Sequence, residues 1–235
     1  MKKPITNWNN YPVVEASEIS FDYQKDLALK LAHTSIPHGN GRCYGDASLY
    51  SDVVNTLRYD KVLAFDEDHG IITCQSGVLL SDLLQIIVPR GWFLPVTPGT
   101  KFITVGGAVA SDVHGKNHHV DGSFSNHVQT LKVLTGMGET ILCSRADYAD
   151  LFAATCGGMG LTGVILEVVF RLKRISSAFI RQKQIKASNL AAVMDLFDQH
   201  ADSTYSVAWI DCLKTGKHFG RSMLMLGDHG ATDKA

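Results

Sequence analysis

Alternating apolar and polar positions at residues 61–65 and 71–76 predict two short strands, joined by a turn over Asp66, Glu67, Asp68, His69 and Gly70. Leu83, Leu84, Ile87 and Val88 then recur at helical spacing. Ser81 is expected to cap that helix, and Pro89 with Gly91 to stop it. Residues 93–96 read as a further short strand. Residues 130–135 and 139–143 predict a hairpin around Gly136, Met137 and Gly138. The β-branched run 163–172 reads as a central strand.

Beyond Lys173 the texture changes. Residues 182–186 are polar. Leu190, Val193, Met194 and Phe197 follow at i, i+3, i+4 and i+7, an amphipathic helix capped by Ser188 or Asn189. Residues 205–211 and 222–226 read as strands. A domain boundary is expected near Ile175, dividing the chain into residues 1–175 and 176–235. The second segment is small for an independent core and runs from an apolar strand straight into the polar residues 227–235. It is expected to be the incomplete start of a larger domain.

Composition narrows the function classes. Of 235 residues 45% are hydrophobic and 19% charged, a globular profile, and the net charge is −1. A near-neutral chain has no overall pull toward nucleic acid or an anionic membrane surface. The longest apolar runs, residues 83–88 and 164–170, are too short for a membrane span, and Lys2 and Lys3 are followed by no signal-like apolar stretch. Cys43, Cys74, Cys143, Cys156 and Cys212 are scattered, with no CxxC spacing. They read as free thiols in a reducing compartment, and the expected location is the cytoplasm.

Glycine carries the chemistry. It clusters at Gly39, Gly41 and Gly45, at Gly99, Gly106 and Gly107, and at Gly157, Gly158, Gly160 and Gly163. Such clusters mark positive φ or a backbone that approaches something closely. Three of them suggest a large, extended ligand. In the first, successive amides can form a nest for phosphate oxygens, with Arg42 adding charge; ordinary turn glycines in a surface loop fit the same residues. The spacing is one residue too long for GxGxxG, which argues against a Rossmann site. In the second, Thr104 or Val105 can open a short helix with its first amides toward an anion, and Gly106, Gly107, Ala108, Ala110 and Ser111 let a ligand lie flat. The third reads either as a turn before a core strand or as bare backbone against a flat ring.

His114, His118 and His119 raise a metal reading. Gly115 interrupts the i, i+4 pair, Lys116 is a cationic neighbour and no acid completes a ligand set, so no metal is expected. These histidines and Asn117 read instead as hydrogen-bonding groups of a polar pocket, or as structural residues.

The residues His38 to Asp46, Pro98 to Thr100, Thr104 to Ala108, Ser111 to His119, Gly122 to Val128 and Gly157 to Ile165 stand in an order and spacing that resembles the vanillyl-alcohol oxidase superfamily, with its PCMH-type FAD-binding domain. Within it the likeness is to sugar and polyol oxidases. The resemblance implies an α+β fold: an FAD-binding domain of two α/β subdomains at residues 1–175, then an antiparallel-sheet substrate or cap domain beginning at 176. It implies that Pro37, His38, Gly39, Asn40, Gly41, Arg42, Cys43, Tyr44, Gly45, Asp46 and Ala47 wrap the FAD pyrophosphate. Gly99, Thr104, Val105, Gly106 and Gly107 would line more of the cofactor, with Ser111, Asp112, Val113, His114 and Ile165. His114, Lys116 and Asn117 would lie near the flavin or the substrate mouth, with His114 and Lys116 as the catalytic candidates. Many relatives attach FAD covalently through a histidine in the first loop; Tyr44 at that place implies non-covalent FAD. The implied substrate is a sugar or polyol, including lipid-linked ones, with a partner reductase where the oxidation is half of an epimerisation. Dehydrogenases, an NADPH-dependent reductase and a non-catalytic flavin module remain as alternatives, the reductase disfavoured by residues 114–119.

Overall fold

The computed structural model describes residues 2–30 and 34–231. The first layer contains β1 (Lys3–Ile5), β2 (Val14–Ser20), α1 (Gln24–Lys30), β3 (Ile36–His38) and β4 (Asp52–Asn55). They form a sheet in the order β1-β2-β4-β3, with β4 parallel to both neighbours and β1 antiparallel to β2. Val53 and Val54 are both fully buried, as a strand covered on both faces requires.

The second layer contains β5 (Val62–Asp66), β6 (Ile71–Gln75), α2 (Leu80–Ile87), β7 (Trp92–Phe93), α3 (Val105–Ala110), α4 (His118–Asp121), β8 (Val128–Leu134), β9 (Thr140–Ser144), α5 (Ala149–Thr155), β10 (Val164–Arg171) and β11 (Lys173–Arg174). Its antiparallel sheet runs β5-β6-β10-β8-β9, with β10 in the middle. Leu80, Leu83 and Ile87 of α2 and Val105, Ala108 and Val109 of α3 pack into its main core. Strand β10 serves two cores. Val164 and Leu166 join Phe21, Leu27 and Val54 under the first sheet, whereas Val168 and Phe170 face the main core. All four are even-numbered, so a regular strand would put them on one face. A register shift between Ile165 and Glu167 against β8 reverses the alternation and lets one strand bind both layers.

Two local expectations change here. The cap of α2 is Leu79, with no side-chain bond; Ser81 lies inside the helix, where its amide meets the Lys101 carbonyl at 2.9 Å. The strand expected at residues 93–96 is only Trp92–Phe93, paired with β11, because Leu94, Pro95 and Val96 turn into the core.

The remainder is β12 (Ile180–Ala187), α6 (Leu190–Gln199), β13 (Tyr205–Ile210) and β14 (Ser222–His229), an antiparallel sheet in the order β12-β14-β13. Asn189 caps α6 through its Oδ1, which accepts from the Ala192 amide at 2.9 Å. Helix α6 covers one sheet face through Val193, against Ala187, Leu224 and Leu226. The polar residues 182–186 form an edge strand, exposed except at Ile185. Strand β14 runs on to His229, so the polar tail begins later than its composition indicates; residues 232–235 lie outside the described residues.

Candidate cofactor site

The three glycine stretches meet. A cavity of about 650 Å³ is walled by residues 37–44 after β3, by Pro98, Gly99 and Thr100, by Thr104, Gly106 and Gly107 at the start of α3, and by Gly160, Gly163 and Ile165 before and within β10. That volume suits a large organic ligand. The loop is braced from outside: His38 Nδ1 lies 2.8 Å from the Ser48 carbonyl, and Asn40 Nδ2 donates to the Phe102 carbonyl at 2.8 Å, tying the first stretch to the second. Among the described residues, the main-chain amides of residues 39–44 have no acceptor. A row of free amides with the exposed Arg42 among them is a receptor for an anionic group.

The start of α3 behaves differently from expectation. Thr104 is its cap, with Oγ1 accepting from the Gly107 amide at 3.0 Å. The Val105 amide donates to the Val78 carbonyl and the Gly106 amide to the Ser76 carbonyl, both at 2.8 Å. These amides are satisfied by protein and face no anion. The free donors belong to the first loop.

Of the residues expected to hold the cofactor, Pro37, His38, Gly39, Asn40, Gly41, Arg42, Cys43, Tyr44, Ala47, Gly99, Thr104, Gly106, Gly107, Ser111, Val113, His114 and Ile165 line the cavity. Gly45, Asp46, Val105 and Asp112 are not in its wall. The Gly45 carbonyl accepts from Asn7 Nδ2 at 3.0 Å on the outer limb of the loop, and the Asp46 carbonyl accepts from Leu49. Val105 is buried in the core. Asp112, at φ 39°, accepts from the Ser125 amide at 2.8 Å and the Ser123 hydroxyl at 2.9 Å, bracing the turn below the site.

His114 stands exposed at the cavity, its ring 5.5 Å from that of His118. Lys116 is exposed and outside the cavity wall; its carbonyl accepts from the Ser206 amide of β13 at 2.9 Å. Asn117 is fully buried, its Nδ2 donating to the Pro95 carbonyl and to Asp121 at 2.7 Å each. His119 Nε2 lies 2.9 Å from the Ser203 carbonyl. The run is therefore mostly scaffold, with His114 its one member in the wall. No three His, Cys, Asp or Glu side chains among the described residues gather as a metal site.

The wall also contains Trp8, Thr56, Ser76, Ile103 and Met159, which carry no glycine signal. Burial pushes the Cys43 thiol up, against a smaller lowering by the Tyr44 backbone. Burial and then Asp112 push Cys156 up to about 11. Both are weak nucleophiles at neutral pH.

Ser76 tests the fit of a cofactor. It belongs to the cavity wall, is only 1% exposed, and its hydroxyl has no partner among the described residues. A buried hydroxyl left unpaired is costly, and a ligand with polar edges resolves it. Free amides for phosphate, bare glycine walls for flat rings and this hydroxyl together suit a dinucleotide.

An α+β fold with such a cavity defines a binding domain for a large phosphate-bearing cofactor. Residues 26–144, half of the chain, match the family model described as an FAD binding domain. The chain is 35% identical over 204 residues to decaprenylphosphoryl-beta-D-ribose oxidase of Mycolicibacterium smegmatis, covering 85% of this chain and 44% of that protein. It belongs to the vanillyl-alcohol oxidase superfamily, whose PCMH-type domain binds FAD. Other relatives are L-gulonolactone oxidase of Bos taurus, 30% identical over 150 residues (63% of this chain, 33% of the relative), and D-lactate dehydrogenase of Anaerostipes hadrus, 28% identical over 158 residues (63% and 33%). The chain spans less than half the length of each of these relatives. No helix among the described residues is long and apolar enough to cross a membrane.

Proposed function

We propose that this chain is the FAD-binding part of an oxidoreductase that oxidises a hydroxyl-bearing carbon of a sugar or polyol, a lipid-linked pentose being the first candidate. The observation that carries the reading is the convergence of three glycine stretches on one cavity with free amides at residues 39–44. When bound, FAD supplies the acceptor for the hydride leaving the alcohol carbon. The amides of residues 39–44 and Arg42 hold the pyrophosphate, and Gly99, Gly106, Gly107 and Gly160 give flat rings their access. His114, at the cavity, orients the substrate hydroxyl; Lys116, carried by the same turn, adds positive charge at the mouth. Tyr44 replaces an attachment histidine, so FAD is held without a covalent bond.

The substrate class follows two relatives, a decaprenylphosphoryl-ribose oxidase and a gulonolactone oxidase. Residues 1–175 are read as the FAD-binding domain and residues 176–235 as the start of a substrate domain continued by further chain. Both β12 and β13 are edge strands, and Trp209 of β13 and Leu213 just after it are exposed.

The test uses the full-length protein. Visible flavin absorbance, bleached by a sugar or polyol without air, supports the reading; a protein that remains colourless with added FAD overturns it. Acid precipitation should leave the yellow colour in the supernatant. Peroxide formed in air separates an oxidase from a dehydrogenase.

A further inference from the structure

The third glycine stretch is a tight loop between α5 and β10, and most of it has no choice of residue. Gly157 and Gly160 sit at φ 79° and 81°, and a Cβ on Gly158 would overlap the Ala154 carbonyl. Met159 stands among them at φ 51°, a left-handed backbone that glycine or asparagine adopts more easily than a long side chain does. For the turn alone, glycine would serve better. A methionine held there gains only through what its side chain touches.

That side chain has a fixed place. The Gly157 and Met159 amides donate to the Val109 and Ala110 carbonyls at 3.0 and 2.8 Å, pinning the loop to the end of α3. A Cβ on Gly160 would lie 3.3 Å from the Pro37 ring, so the same loop abuts the first glycine stretch. Met159 thus lies at the seam of all three stretches. The Ser111 hydroxyl donates to its sulfur at 3.8 Å. Met159 belongs to the cavity wall and is 42% exposed. A thioether is apolar and polarisable, and contact with an aromatic ring favours it.

We infer that Met159 is a cofactor-contact residue, its thioether packing on a flat ring of the bound dinucleotide. This rests on the FAD reading above. The glycines give the rings access to bare backbone; Met159 is the side chain that the third stretch adds to the same wall, beside Gly160 and Gly163. Its contact with the ring offsets the strain of its backbone.

The experiment treats the full-length apoprotein briefly with hydrogen peroxide, with and without saturating FAD. Peroxide passes one oxygen to an accessible methionine sulfur, giving the sulfoxide and water. Peptide masses should show Met159 oxidised in the apoprotein and protected when FAD is bound. Met137, 87% exposed between β8 and β9 and outside the cavity wall, should react equally in both and serves as the control. Met159→Gly should bind FAD about fivefold to tenfold more weakly. Its apoprotein should keep the wild-type thermal midpoint, because glycine relieves the left-handed strain. Equal oxidation of Met159 with and without FAD overturns this inference, as does unchanged FAD affinity in Met159→Gly, and either leaves the FAD reading standing. Should Met159→Gly fold poorly, the peroxide footprint of the wild type decides alone. A wild-type protein that binds no FAD overturns the functional reading with it.

Discussion

The Ser206 amide of β13 donates to the Lys116 carbonyl at 2.9 Å, and this bond ties the turn that carries His114 to the β12-β14-β13 sheet. Two further ties act beside it: His119 meets the Ser203 carbonyl, and Lys173 pairs with Asp121 at 2.6 Å while lying 5.8 Å from the Tyr205 ring. The first glycine loop and the turn that carries His114 therefore have different supports. β13 is an edge strand, and the Ser206 N–H faces away from β14 to reach Lys116, so a proline there breaks no bond of the sheet itself. Ser206→Pro should cost about 1 kcal/mol of stability for the lost bond. FAD content should stay at the wild-type level while kcat/KM for the sugar or polyol falls. Flavin absorbance per protein and steady-state rates read the two effects, and an unchanged kcat/KM would detach β13 from the site.

Ser76 predicts effects of opposite sign on the two forms of the protein. In the apoprotein its hydroxyl is buried and unpaired, so Ser76→Ala removes a penalty and should leave thermal stability equal or slightly raised. In the holoprotein the same change should remove the hydrogen bond proposed between Ser76 and the cofactor, and FAD affinity should fall about fivefold to tenfold. Calorimetry of the apoprotein and FAD titration measure the pair. A residue with only a packing role would lower both, and that result rules out the assigned contact.

The second layer was largely legible because its strands alternate and its turns carry their own punctuation. The hairpin of β8 and β9 and the central β10 lie within a residue or two of the expected bounds. The first layer was not legible: β1 and β3 have three residues each, too few for a period, and β4 owes its burial to neighbours distant in the chain. The polar edge strand β12 escaped for the converse reason, since it exposes nearly all its side chains. Glycine clustering marked three walls of the cavity, because backbone access is written in local sequence. Trp8 and Ser76 reach it through tertiary packing alone. The role given to the first amides of α3 failed because Ser76 and Val78 provide carbonyls that no local pattern reveals.

Two glycines separate access from folding. A Cβ built on Gly99 meets nothing within 4 Å, and Gly99 belongs to the cavity wall. Gly99→Val should therefore leave the apoprotein stable while weakening FAD binding by about tenfold or more, as the added methyls occupy ligand space. Gly163 sits at φ 138° with its Cβ position overlapping the Leu134 carbonyl of β8. Gly163→Ala should forfeit soluble protein at 37 °C, through backbone strain at the entry to the central strand. Expression yield and FAD titration distinguish the two, and a well-folded Gly163→Ala protein would contradict the packing described for β10.

Tyr205 gives the β12-β14-β13 sheet a signature in alkali. Its hydroxyl lies 3.1 Å from His229 Nε2, and burial, followed by the negative charges of Asp121 and Asp228, pushes its ionisation from the ordinary 10 to about 12. The folded protein thus retains this proton at pH values where the unfolded chain has lost it. Below about pH 10 both states hold it and stability is independent of the group; from 10 toward 12 only the folded state does, so stability falls as pH rises. Tyr59 is raised for a similar reason, by burial and then Glu167, so the decline in the wild type has more than one source. Tyr205→Phe isolates its share: the variant should lose less stability across that window, and the wild-type-minus-variant absorbance should show a phenolate step near 12. A step at 10 would mean that solvent reaches Tyr205, and that the strand joined to Lys116 does not close over this side of the site.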